Sequence, residues 1–166
     1  MFKLDAKELT AAIKDSDLVT NLKKLNSGKV VIGFFKEDTH TPSETAKKYD
    51  DRFGPPLTTR PTDAATLATV LNYGGISEHN REIPARPFFD DSKEAIKEDI
   101  LNNSVGYIMD DNFYHNMGEI GTEIIRNNMV NGSYASNAPI TIELKGNDHP
   151  LIDDAQLLAL AKAKVY

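Results

Sequence analysis

Asp111 and His115 stand four residues apart in a stretch with helical spacing, so both side chains would project from one helix face toward a single ligand. His149 lies next to Pro150, with Asp153 and Asp154 just beyond. An imidazole with two carboxylates is a donor set for a divalent metal. A hydrolytic site built on these groups also needs a glutamate base or a second histidine-rich half, and neither accompanies them. The four histidines, His40, His79, His115 and His149, are scattered, and no HExxH, GxSxG or glycine-rich phosphate loop occurs. The plainer account makes these side chains helix caps and solvated surface groups. We therefore expect no catalytic residue, metal or cofactor, with a small metal-dependent enzyme using Asp111, His115, His149 and Asp153 as the minor alternative.

Recognition chemistry of a different kind sits in "REIPARPFFDDS", residues 81–92. Pro87 removes a backbone donor and turns Arg86 away from helical dihedrals, so the segment should be extended. Arg86 has two readings. It pairs with Glu82, Asp90 or Asp91 and pins its own connector, or its fork takes a neighbour's carboxylate in a bidentate contact. Phe88 and Phe89 divide similarly, one belonging to the core and the other available as an interface anchor.

The chain has 166 residues, a length that fits one domain over 1–166 and buries roughly 70% of its unfolded surface. Hydrophobic residues make up 40% and charged residues 27%, an ordinary globular balance. With no cysteine, disulfides and thiolate metal sites are excluded. Twenty-five acidic against 19 basic residues give a net charge of −6, which argues against a dedicated nucleic-acid binder. No apolar run approaches the ~20 residues needed to span a bilayer. The first residues are too polar for a signal peptide, and we expect a product made and kept in the cytosol.

The elements that must position these groups can be read from caps and periodicity. Leu9, Ala12 and Ile13, then Leu18, Leu22 and Leu25, have helical spacing after Asp5 and Glu8. Residues 29–35, Lys-Val-Val-Ile-Gly-Phe-Phe, form the clearest strand. Residues 37–62 read as a long proline-rich loop. Asp63 caps a helix through Leu67 and Leu71 that ends at Gly74-Gly75. A helix starts at Asp91 and Glu94 and runs through Ile100. Another follows Asp110, with Phe113, Met117, Ile120 and Ile124 on one face. Gly118 and Gly121 cost it about 1 kcal/mol each in propensity, which implies close approach of another backbone. Ile140, Ile142 and Leu144 alternate like a strand, yet Asn137 as cap, Pro139 and Gly146 favour a helix. A short turn through Leu157 and Leu158 precedes a terminal strand over 160–166.

"VLNYGG", then "IPARPFFDDS", then "NAPITIELKGNDHPLIDDAQLLALAKAKVY" resemble, in order and spacing, the small tail-completion and neck proteins of tailed bacteriophages. In that family a helix ends near a Glu-Phe-Gly-like tripeptide, here Asn72-Tyr73-Gly74. An Ile-Pro-Ala-Arg-Pro-Phe connector follows, here residues 83–89. Thr141-Ile142 with Lys145-Gly146, and Pro150-Leu151-Ile152-Asp153 with Leu157, match the family's C-terminal stretch. The likeness extends weakly over 29–36 and well over about 67–166. Two positions depart from it: Asn72 replaces an acidic residue, and Asp154-Ala155 replaces Thr-Gly.

The resemblance implies an α+β fold, a small antiparallel sheet packed with several helices and long loops, and a helix at 138–145. It implies a virion structural protein of the neck or tail end, assembled in the host cytoplasm. Such proteins form a homo-oligomeric ring, commonly six-fold, that finishes the tail and joins it to the head. Its partners would be the tail tube or sheath protein and head connector or adaptor proteins, with DNA passing through the lumen without specific binding and no membrane involved. A head-side adaptor is the neighbouring alternative. Arg86, Phe88, Phe89, Asn72, Tyr73, Lys145 and Asp153 are the interface candidates.

Overall fold

The computed structural model describes residues 28–54, 61–76, 82–108 and 112–166. The helical pattern at 8–25 and Asp111 lie outside them. The fold is α+β, with three two-stranded antiparallel sheets and six helices among the described residues.

β1 (Val30–Gly33) carries the β-branched run, and β6 (Lys162–Val165) is its partner. Their register sets Val30 opposite Val165, Val31 opposite Lys164 and Ile32 opposite Ala163. Reciprocal bonds between Lys29 and Tyr166, at 3.1 and 2.9 Å, extend the ladder by one pair. The terminal strand expected within 160–166 is therefore present, and the first strand is its partner.

This sheet lies on α4 (Phe113–Asn131), and the glycines of that helix are where it touches. A Cβ at Gly118 would meet Ala163 Cβ at 2.7 Å, and one at Gly121 would meet Ile32 Cδ1 at 2.5 Å. The close approach inferred from these glycines is real, but side chains of the strands make it rather than a backbone. The buried face of α4 is Gly118, Gly121, Thr122, Ile125 and Met129. It is rotated from the expected stripe of Phe113, Met117, Ile120 and Ile124, because the residues that cost propensity are the contact surface.

β2 (Thr39–His40) pairs with β3 (Thr62–Asp63), and α1 (Glu44–Phe53) lies between them in sequence. The expectation of a continuous loop over 37–62 is thus corrected. The Ser43 side chain accepts from Ala46 N at 3.1 Å and caps α1, while Pro42 and Pro61 fall outside the helix. No residue of α1 is buried, so its short stripe of Ala46, Tyr49 and Phe53 adds nothing to the core. Polar contacts hold it instead, with Arg52 on Glu143 at 2.6 Å and Thr45 on Asp153 at 2.7 Å.

α2 (Ala64–Tyr73) begins as expected, with Asp63 accepting from Thr66 N at 2.8 Å. It ends at Gly74, whose φ of 75° and whose 2.7 Å distance from a would-be Cβ to Ile83 O both require glycine. β4 (Gly75–Ile76) and β5 (Glu82–Ile83) then lead into the connector.

α3 (Phe88–Ile108) starts a turn earlier than Asp91, because Asn72 in α2 caps it from a distance. α5 (Pro139–Lys145) resolves the conflicting signals as a helix, closed by Gly146 at φ 81°. Its cap position is Ala138, since Asn137 is occupied elsewhere. α6 (Gln156–Leu160) follows Ala155, which sits in the left-handed region at φ 59°. The core gathers Ala64, Ala68, Phe88, Ile125, Met129, Leu151, Leu157 and Ala161, with Phe34 edge-on to Phe88 at 6.0 Å.

Candidate functional site

Residues 84–87 cross the end of α2 as an irregular extended segment, and Arg86 N donates to Leu71 O at 3.0 Å. The Arg86 side chain turns inward and is only 4% exposed. Its Nε donates to Ala135 O at 2.9 Å, and its Nη2 reaches Ser136 O and Asn137 Oδ1, both at 3.3 Å. None of Glu82, Asp90 or Asp91 is its partner. Backbone carbonyls take a cation's donors without supplying a counter-charge, so burial lowers the Arg86 pKa and Asp148 partly offsets this. Asp148 lies well placed for that role. Its carboxylate accepts Asn137 N at 2.8 Å and is held below the usual range by that bond, then by Ser136, and also by Arg86 and Lys145.

Asn72 forms the second tie. Its carboxamide is nearly sealed, with Nδ2 donating to Asp90 Oδ2 at 2.8 Å and Oδ1 accepting Phe89 N at 2.8 Å. Asp90 also accepts from Lys93 at 2.6 Å and from the Tyr73 hydroxyl at 3.3 Å. Lys93, then Asn72, holds the Asp90 carboxyl below its ordinary value.

The seven interface candidates therefore divide. Arg86, Asn72 and Phe88 are buried within the subunit, so Arg86 takes the inward of its two readings, with other partners than those expected, and Phe88 is the core member of the Phe88–Phe89 pair. Phe88 is fully buried, with its ring edge-on to Phe34 in the core. Phe89 is half-buried, with Lys93 Nζ 5.4 Å from its ring centre. Tyr73 is 61% exposed, and Asp153 is exposed while holding Thr45. Lys145 is half-buried, donates to His149 O, and has its pKa lowered by burial against the pull of Asp153.

Among the described residues no three His, Asp or Glu side chains converge, and His115 faces Glu119 at 3.2 Å; Asp111, the other member of its pair, lies outside them. A cleft of about 190 Å³ lies beside Lys145 and Asp153, lined also by His40, Asn137 and Thr141. It is smaller than the ~300 Å³ at which ligand pockets usually begin.

Two contributors were not singled out in the sequence. The Arg126 guanidinium donates to the carbonyls of Leu158 and Ala159, and at 2.8 Å to that of Ala161, so it ends α6 and launches β6. Tyr134 reaches Asp91 at 3.4 Å, and burial, then the Asp91 charge, pushes its hydroxyl up to about 12. The Asn and Pro signals at 137–139 lie just after Tyr134, but nothing local names Asp91 as its partner.

Set against known protein families, curated proteins and solved structures, the chain matches none.

Proposed function

We propose that this chain is a structural protein of the neck or tail end of a tailed bacteriophage, forming a ring that finishes the tail and joins it to the head. The observation that carries the reading is how the resembling segments interlock. Asn72 ties the first motif to the connector at Phe89 and Asp90. Arg86 ties the connector to Asn137, which opens the third, and to the two residues before it. Segments remote in sequence thus share one constraint, which accounts for their appearing together.

The same ties make the connector rigid. A ring repeats one contact around an axis, and preorganised surface lowers the entropic cost of each repeat. Tyr73 and Ile76 are exposed large side chains on the surface beside the connector. A net charge of −6 suits a channel wall past which DNA moves without sticking.

The test is electron microscopy and native mass spectrometry of the purified chain, alone and with tails that lack their head-proximal end. Closed rings that seat on the tail end are the expected result. A chain that remains monomeric under all conditions and leaves tails unjoined overturns the reading.

A further inference from the structure

An apolar groove of about 320 Å³ runs along α3, lined by Ile32, Phe89, Ile96, Ile100 and Leu101. Leu101, at one end of it, is 66% exposed. A continuous apolar strip on a folded chain marks a docking surface more often than scattered exposed residues do.

The packing of the helices fixes which end of this groove meets the chain that precedes β1. Asn128 on α4 donates to Ser92 on α3 at 3.0 Å, and Ile96 on α3 lies beside Gly121 on α4. The two helices are therefore antiparallel, and the first turn of α4 is level with the part of α3 just past Leu101. Gly28 sits on that first turn, where a Cβ would meet the Tyr114 ring at 2.6 Å. From there β1 runs to Ile32, which forms one wall of the groove. The chain before Gly28 thus enters at the Leu101 end.

Twenty-seven residues precede Gly28, and the last of them have a pattern that fits. Leu18, Leu22 and Leu25 follow i, i+4, i+7 and share one face of a helix, while Thr20, Lys23 and Lys24 take the opposite face. Eight residues rise about 12 Å as a helix, and α3 rises about 18 Å from Phe89 to Leu101. Asn26, Ser27 and Gly28 are turn formers that allow a reversal into β1. Laid antiparallel to β1, such a helix brings Asp15 and Asp17, with Lys14 beside them, level with Lys93 and Lys97. Like charges do not oppose the fit.

We propose that residues 18–25 dock in this groove as a helix of the same chain, seating Leu18, Leu22 and Leu25 against Ile96, Ile100 and Leu101. The short tether favours the same chain over a second copy, because it holds the segment at high effective concentration beside its site. The docking needs one copy and no ring, so it and the proposed function can fail separately.

The chain has no cysteine, so paired thiols placed in the full-length protein report this contact without background. Leu22→Cys with Ile100→Cys should close a disulfide within one chain under mild oxidation. Lys23→Cys with Ile100→Cys, which puts the thiol on the outward face, should close at least about ten-fold more slowly. Leu25→Ala and Leu101→Ala supply a measurement that needs no cross-link. Each should lower the denaturation midpoint, and the double variant should lose less than the sum, because the two leucines share a contact. Disulfides formed only between chains assign the groove to a second copy and overturn the proposal. So do equal rates for the two thiol pairs, no disulfide at all, or additive losses at the two leucines.

Discussion

The carboxamide of Asn72 stands between two groups it satisfies at once, giving its nitrogen to Asp90 and its oxygen to the backbone of Phe89, each at 2.8 Å. The helix that starts at Phe88 therefore takes its cap from a residue in another helix, and the connector between them is closed into a loop.

Asn72→Asp keeps the shape and removes the donor. The new carboxylate can still accept from Phe89, but it faces Asp90 with like charge in a site that water barely reaches. The variant should lose about 1–3 kcal/mol at neutral pH by denaturant titration. Stability equal to wild type would mean that the amide–carboxylate bond contributes nothing.

Arg86→Ala should damage the isolated subunit. It takes the donor away from the carbonyls of Ala135 and Ser136 and empties the buried Arg86 site, and the loss should be about 1–3 kcal/mol. Arg86→Lys should recover only part, because an ammonium cannot span both carbonyls and the Asn137 side chain in one plane. An alanine variant that melts like wild type yet forms no rings would return Arg86 to the surface role.

Ala155→Gly should stabilise. The residue holds φ 59°, where a Cβ costs roughly 1–2 kcal/mol, and glycine gives back part of that in unfolded-chain entropy. A gain of about 0.5–1 kcal/mol is expected from thermal or chemical melts. Ala155→Val should lose more than this, and a glycine variant no more stable than wild type would count against strain at this turn.

Tyr134 should report on alkaline unfolding. Its folded pKa lies above the ordinary 10, so its contribution is complete below pH 10 and is lost as pH rises through about 12. Ultraviolet titration should show one late phenolate, absent in Tyr134→Phe. Asp148 works in the opposite direction: its lowered pKa contributes above the usual carboxylate range and is lost as acid protonates it. Asp148→Asn should therefore flatten the acid limb of the stability curve without touching the alkaline one.

Elements with local causes are legible from the sequence. Asp63 announces α2, the β-branched run announces β1, and Pro139 with Gly146 brackets α5. The remainder depends on partners far along the chain. Arg86 is satisfied by carbonyls about fifty residues away, and a carbonyl has no signature in sequence. The early start of α3 depends on a cap from Asn72, and the tilt of the α4 face depends on strands that fit its glycines. α1 escapes notice because ion pairs rather than buried apolar groups hold it. For the candidate site, the motif segments were identifiable, but which side chains turn inward was not, since burial is decided by neighbours and not by residue type.

The pairing of Val30 with Val165 also sets the order in which the chain can fold. During synthesis β1 emerges early, and its partner emerges only after every helix described here has been made. Long-range closure of this kind is slow, and in the meantime β1 is an unpaired apolar strand. The glycine face of α4 becomes available before β6, so β1 can be held against that helix while it waits. Substitutions at Gly118 or Gly121 should then reduce the soluble yield of newly made protein more than they lower the melting point of what survives.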